Sequence, residues 1–168
     1  GRARDWTDRV VAARVVVPPR LRDALAELDL AEGLDEAPPV VDEVIAKRIT
    51  LNPGGRELVQ TVRANGAYTC LVSGGFTLFT QWVAEKLGFQ ENRANELALD
   101  DGKFAGTVVE PILGRQAKLD SLRELRESFD LDDIDTIAVG DGANDLAMLG
   151  AAGLGVAYHA KPAVAAAA

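Results

Sequence analysis

The sequence predicts an α/β fold built on a parallel sheet. Three short apolar runs have the length and composition of buried strands: Tyr68-Thr69-Cys70-Leu71-Val72, Thr136 to Val139, and Gly153 to Tyr158. The first two end in small polar loops, Ser73-Gly74-Gly75 and Gly140-Asp141-Gly142, that open directly into helical patterns. A strand, helix, strand, helix, strand rhythm is the signature of right-handed parallel crossovers.

Taken in order, residues 1 to about 39 are charged and rich in Ala and Val, with Pro18, Pro19, Pro38 and Pro39 as breakers. Leu21, Leu25 and Leu28 recur at helical spacing, and Val15 to Val17 read as a short edge strand or loop before the proline pair. Val40, Val44, Ile45 and Arg48 predict a helix, and Asn52-Pro53-Gly54-Gly55 a turn. Residues 54–65 place Leu58, Val59 and Val62 on one helical face, stopped by Asn65-Gly66. The first buried strand follows, then a helix over 77–87 with Leu78, Phe79, Trp82, Val83 and Leu87, closed by Gly88. Residues 95–109 alternate around Asp100-Asp101-Gly102-Lys103, a hairpin signal. A helix at about 115–129 carries Leu119, Leu122, Leu125 and Phe129; another begins at 143 and runs to 151.

Composition narrows the function. The chain has 168 residues, 18 Lys+Arg against 26 Asp+Glu, and a net charge of −8 with a pI near 4.7. It lacks the basic face that nucleic-acid backbones require, so no nucleic-acid partner is expected. Small anions stay open as substrates, because a bound cation or a few backbone N–H groups reverse the sign locally. One Cys and one His exclude a disulfide framework and a Cys-based zinc site, and fit a cytoplasmic protein. No apolar run is long enough to span a bilayer, and no membrane partner is expected. The chain begins at Gly1 without Met and ends on Ala165 to Ala168, and the expectation is that these ends are not natural ones.

In parallel α/β sheets ligands sit outside the carboxyl ends of the strands, so the two polar loops should share one rim. Ser73-Gly74-Gly75 offers a hydroxyl and glycine N–H groups at a helix start, which is either a cradle for a phosphate oxygen or a plain tight turn. Asp141 and Asp145, with Asn144 between them, are the oxygen donors a hard cation such as Mg²⁺ takes. Helix capping accounts for one Asp at such a place but poorly for the whole Gly140-Asp141-Gly142-Ala143-Asn144-Asp145 string. Lys118, near the start of its helix, opposes the helix dipole; by itself it reads as a solvated surface lysine. His159 reads as a strand-end histidine with no metal role, and Cys70, Phe79 and Trp82 as core.

Together, Ser73-Gly74-Gly75-Phe76, Lys118 and Gly140-Asp141-Gly142-Ala143-Asn144-Asp145 resemble the haloacid-dehalogenase (HAD) superfamily of phosphotransferases, and within it the phosphoserine phosphatases. Arg48-Ile49-Thr50, Glu85-Lys86-Leu87-Gly88, Asn92-Arg93-Ala94-Asn95 and Ala160-Lys161-Pro162 fit the same resemblance, which runs from about Val40 to Pro162. It implies a HAD-like, Rossmannoid three-layer α/β/α domain over residues 49–168, with residues 1–48 a remnant of a helical cap. It also implies Mg²⁺-dependent hydrolysis of a small phosphomonoester, phosphoserine, through an aspartyl-phosphate. By motif position Ser73 and the N–H of Gly74 would bind phosphate oxygen, with Asn144 in contact with the phosphate. Lys118 would neutralise the phosphoryl and nucleophile charge, Asp141 would ligate Mg²⁺, and Asp145 would hold the metal site and share in catalysis.

The sequence departs from that pattern at the nucleophile. The family places an apolar strand followed by D-x-D-x-T well before Val40, and nothing there matches. Asp5-Trp6-Thr7-Asp8 has the wrong spacing, and Asp133-Ile134-Asp135-Thr136 precedes a strand and reads as a surface turn. In the cap stretch, the second Arg of the family's L-R-x-R string is Ala24, and the strand and helix expected after Pro162 are missing. A sheet without its middle strand would leave two edges with unpaired backbone groups, each costing ~1–3 kcal/mol. The gap must close by direct pairing of the flanking strands or be filled, with Val15 to Val17 as the candidate filler. The expectations are therefore an incomplete phosphoserine phosphatase, inactive for want of the Asp; a non-catalytic phosphate- and Mg²⁺-binding protein; or a related phosphatase with another small phosphomonoester substrate.

Overall fold

Val10-Val11-Ala12-Ala13, four small or β-branched residues, form strand β1 in the middle of the sheet. In the computed structural model, residues 10–13, 37–100 and 103–167 are described. The elements that follow are α1 (Ala37–Arg48), α2 (Gly55–Ala64), β2 (Tyr68–Phe76), α3 (Thr77–Leu87), β3 (Glu91–Asn95), β4 (Leu97–Asp100), β5 (Lys103–Val108), α4 (Arg115–Ser128), β6 (Thr136–Gly140), α5 (Leu146–Ala151), β7 (Leu154–Ala157) and α6 (Pro162–Ala165). Five strands pair in the order β3-β2-β1-β6-β7, every neighbouring pair parallel, and β4-β5 is a separate antiparallel hairpin.

The gap between the strands that lead to Ser73 and Gly140 is thus filled, but by Val10–Ala13 rather than by Val15 to Val17, which lie outside the described residues. Val10 pairs with Tyr68 and Thr136, and Ala13 with Leu71 and Val139, so β1 satisfies both neighbours along its whole length. β1 thus falls within residues 1–48, and it stands between β2 and β6 in the sheet. The helix expected near residues 21–28 lies outside the described residues.

Alternation along β2 separates the layers. Leu71 points into one cluster with Val59 of α2 and Val83, Ala84 and Leu87 of α3. Its neighbours Cys70 and Val72 point the other way and meet Leu125 of α4. Leu122 of α4 joins Ala138 of β6 and Met148 and Leu149 of α5, so α4 and α5 share a face. The result is the helix-sheet-helix sandwich the resemblance implies. Leu71 and Leu122 are fully buried, and each such side chain contributes roughly 1.5–3 kcal/mol.

Three boundaries differ from the sequence reading. Pro38 and Pro39 open α1 rather than break it, since proline's missing N–H costs nothing in a helix's first turn. The strand read as Tyr68 to Val72 continues through Ser73-Gly74-Gly75 to Phe76, with an irregular register between Val72 and Phe76. The helix expected from 143 begins at Leu146, because residues 141–145 form a polar loop. Strand β3 is absent from the sequence reading: Glu91-Asn92-Arg93-Ala94-Asn95 has no apolar pattern, yet pairs with β2 at the sheet edge. Asn65-Gly66 and Gly88 stop α2 and α3 as expected, Gly88 at φ 90°.

Candidate functional site

Ser73 and Asp141 flank the end of β1. Ala13 pairs with Leu71 on one side and Val139 on the other, and Ser73 and Asp141 each lie two residues further along those chains. The two polar loops predicted to share a rim therefore do share it, at the carboxyl ends of β2 and β6 on either side of β1, and such strand ends are where parallel sheets bind ligands.

Ser73 is buried, and its hydroxyl oxygen accepts the N–H of Gly75 at 3.0 Å. Gly74 is exposed beside it. A Cβ at Gly74 would meet the carbonyl oxygen of Leu113 at 3.5 Å, so the loop lies close under the segment that leads to α4. That segment delivers Lys118, four residues into the helix, and Lys118 is only 2% exposed. Burial overturns the solvated-surface reading that Lys118 alone suggests: the apolar stem packs inside and the ammonium donates to Asp145 Oδ1.

Asp145 is fully buried at the end of the Gly140–Asn144 loop. Its Oδ2 accepts the backbone N–H groups of Asp141 at 3.2 Å and Gly142 at 3.0 Å, while Oδ1 takes the Lys118 ammonium. The carboxylate is thus the hub that ties the end of β6 to α4. Asp145 occupies the N-cap place of α5 without a side-chain capping bond, so the plain capping explanation of this residue does not hold. Asp145 is thereby held by Lys118 and by the loop that carries Asp141. Asp141 and Asn144 are half-buried on the rim side of the same loop.

The donor chemistry fits a hard cation. The loop supplies carboxylate oxygen and no sulfur or imidazole. Among the described residues no group of three or more His, Cys, Asp or Glu side chains is placed to hold a metal ion. Mg²⁺ suits such a site, since it is bound by one or two carboxylates with water and substrate phosphate completing its shell.

Asn95, at the carboxyl end of β3, is a residue the sequence reading singled out only within a longer string. Its side chain is buried, donates to the carbonyl oxygens of Gly74 at 3.0 Å and Leu113 at 3.4 Å, and accepts the N–H of Leu113 at 2.6 Å. Nothing in its polar neighbourhood along the chain signals this bridging place. His159 lies past β7 with φ 50°, edge-on to Tyr158 with ring centroids 4.4 Å apart, and is exposed. Tyr158 in turn donates its hydroxyl to the Pro53 carbonyl. Cys70 is unpaired and buried in the core, where loss of water pushes its thiol up to about 12.

Comparison with known proteins agrees with this geometry. The haloacid dehalogenase-like hydrolase family matches residues 17–150. A phosphoserine phosphatase of Vibrio cholerae is 42% identical over 131 residues, covering 78% of this chain and 40% of the relative. One of Streptomyces coelicolor is 44% identical over 139 residues, covering 83% of this chain and 33% of the relative. The chain therefore spans two fifths or less of the length of these curated relatives. The unliganded crystal structure of a probable phosphoserine phosphatase from Vibrio cholerae superposes with a TM-score of 0.81 at 33% identity, over 98% of this chain and 60% of that one. A substrate-bound phosphoserine phosphatase superposes at 0.78 and 28% identity, over 96% and 90%. With residues 17–150, more than half of its length, matched by that family, this chain belongs to the haloacid dehalogenase-like hydrolases.

Proposed function

We propose that this chain carries the phosphate- and cation-binding half of a phosphoserine phosphatase pocket, and that it binds a phosphomonoester, phosphoserine, without turning it over. The observation that carries the reading is the buried Lys118–Asp145 pair at the rim beside the end of β1. A fully buried ion pair is a costly device for stability alone, whereas an ammonium held at the mouth of a parallel sheet is placed to meet anionic phosphate.

The residues divide the work by chemistry. Ser73 gives its hydroxyl proton, and Gly74 its backbone N–H, to phosphoryl oxygens; Asn144 adds an amide from the other side of the rim. Lys118 supplies positive charge, and Asp145 fixes the height at which it stands. Asp141 would hold Mg²⁺, with Asp145 setting the loop behind it. Mg²⁺, when bound, neutralises the phosphoryl charge. Positioned cations and donors are most of what phosphoryl transfer asks of a protein.

The remaining requirement is a nucleophile, and here the chain stops short. In sequence, Ala13 is followed by Arg14-Val15-Val16-Val17-Pro18-Pro19, which contains no carboxylate. That stretch offers no carboxylate for covalent transfer through an aspartyl-phosphate. A buried, unpaired Cys70 supports a reducing, cytoplasmic setting; among the described residues no helix is long and apolar enough to cross a membrane.

Calorimetric titration of phosphoserine and of inorganic phosphate into the chain with Mg²⁺, alongside an assay of phosphate release, tests the reading. Binding that Ser73→Ala and Lys118→Met each weaken about tenfold or more, with no release above background, is the expected result. Mg²⁺-dependent release of phosphate from phosphoserine, or no binding of either ligand, would overturn it. Release from a different phosphomonoester only would favour a related phosphatase.

A further inference from the structure

Asn95 sits on an edge strand outside the motif loops, yet its side chain grips Gly74 of the first loop and Leu113 in the segment that leads to α4. One peptide unit links it to the candidate phosphate site. The carbonyl of Gly74 accepts from Asn95 Nδ2 at 3.0 Å, and the N–H at the other end of that same unit, on Gly75, donates to Ser73 Oγ at 3.0 Å. A peptide is planar, so fixing its carbonyl fixes the direction of its N–H. Ser73 Oγ, once it accepts that N–H, keeps one hydroxyl proton to give and has its acceptor side turned inward. Asn95 also receives the Leu113 N–H at 2.6 Å, which fixes its amide the right way round and joins the loop to the segment that delivers Lys118.

We infer that Asn95 is a positioning residue that aims the Ser73 hydroxyl proton out of the rim through the Gly74–Gly75 peptide, and so sets the affinity of the site for phosphate. The inference deepens the phosphate-binding reading and rests on it for the identity of the ligand, but the hydrogen-bond relay itself can be read with no ligand present. Asn95 is 5% exposed and Ser73 4% exposed, so neither competes with bulk water for these bonds. An unpaired Gly74 carbonyl would be free to rotate its peptide and take the Gly75 N–H off Ser73.

The test joins amide exchange to phosphate titration. In the unmodified chain the Gly75 amide should exchange slowly, although it lies in the irregular stretch of β2 at the rim; fast exchange there would overturn the relay at once. Asn95→Ala should speed Gly75 exchange at least tenfold and shift its resonance, while Gly155 and the α5 amides stay unchanged. Asn95→Asp preserves volume and the acceptor for Leu113 while removing the amide donor, and should reproduce the Gly75 change if Asn95→Ala does not fold. Inorganic phosphate with Mg²⁺ should bind about tenfold more weakly to Asn95→Ala, and Ser73→Ala should abolish most of that difference in a double-mutant cycle, because the two act in series. Additive losses, or an unmoved Gly75 amide, would overturn the inference. A shifted Gly75 amide in a chain that binds no phosphate would keep the relay and sink only the ligand reading.

Discussion

Gly140 lies so close beneath Asp145 that a Cβ on it would fall 2.5 Å from the Asp145 Cβ and 2.8 Å from its Cγ. The carboxylate reaches Lys118 and the amides of Asp141 and Gly142 only because position 140 carries no side chain. Gly140→Ala therefore has no small adjustment open to it, since the obstructed atoms include the first carbons of a buried, multiply bonded side chain. A loss of about 1–3 kcal/mol in urea unfolding is expected from overpacking, with phosphate binding falling further than stability. A variant that keeps wild-type affinity would show that the loop tolerates displacement of Asp145.

Removing one partner of the Lys118–Asp145 pair leaves the other charged and dry. Lys118→Met takes the buried countercharge from the carboxylate, Asp145→Leu takes it from the ammonium, and each should cost about 3–5 kcal/mol. Replacing both at once removes both buried charges, so the double variant should be more stable than either single one. Its phosphate binding should nevertheless be lost, separating what the pair does for folding from what it does for the ligand. Thermal melts of the four proteins, with titrations of inorganic phosphate, check this; a double variant less stable than both singles would contradict it.

Stability should fall in alkali. Loss of water, followed by the nearby Glu91 charge, pushes Cys70 from 9.0 up to about 12, and burial with the Glu91 hydrogen bond pushes Tyr68 from 10.0 up to about 12. The folded state holds both protons more tightly than the unfolded chain. Their contribution is complete below about pH 9 and is lost as pH rises toward 12. For the fully buried Cys70 the decline is at most about 1.4 kcal/mol per pH unit in that window. Cys70→Ala should flatten the dependence of the urea midpoint on pH between 9 and 12; an unchanged slope would refute the assignment.

Much of this arrangement was legible in the chain because it is written locally. Gly88 and Asn65-Gly66 stop helices through their own backbone preferences, and the apolar runs around Leu71 and Val139 announce buried strands by composition. Ser73, Asp141 and Asp145 could be placed on one rim because parallel strands fix where their ends lie. What could not be read is set by long-range pairing. Strand β3 holds Glu91 and Arg93, which pair with each other while Arg93 also pairs with Glu124, and its polar sequence becomes a strand only because β2 offers an edge. Val10–Ala13 carries too short a pattern to outrank Val15 to Val17, and register with Leu71 and Val139 decides for it. Lys118 reads as a surface residue until Asp145, 27 residues away, supplies the charge that lets it be buried.

Two glycines near the end of the chain should respond oppositely to alanine. Gly150 lies within α5, is exposed, and has no atom within 4 Å of where a Cβ would stand. Gly150→Ala restricts the unfolded chain without any steric cost and should stabilise by about 0.4–1 kcal/mol. Gly153, just before β7, faces backbone: a Cβ there would lie 2.4 Å from Ile134 Cα and 2.5 Å from the Asp133 carbonyl oxygen. Backbone cannot swing aside as the tip of a flexible side chain can. The Gly153 N–H also donates to Thr136 Oγ1 at 3.1 Å, so movement to relieve the clash breaks the tie between β7 and the start of β6. Gly153→Ala should therefore destabilise by at least about 1–3 kcal/mol, as overpacking does. Urea midpoints that rise for the first variant and fall for the second are the expected outcome, whereas equal shifts of one sign would show that the close approach of β7 to the Asp133–Asp135 turn is not maintained in solution.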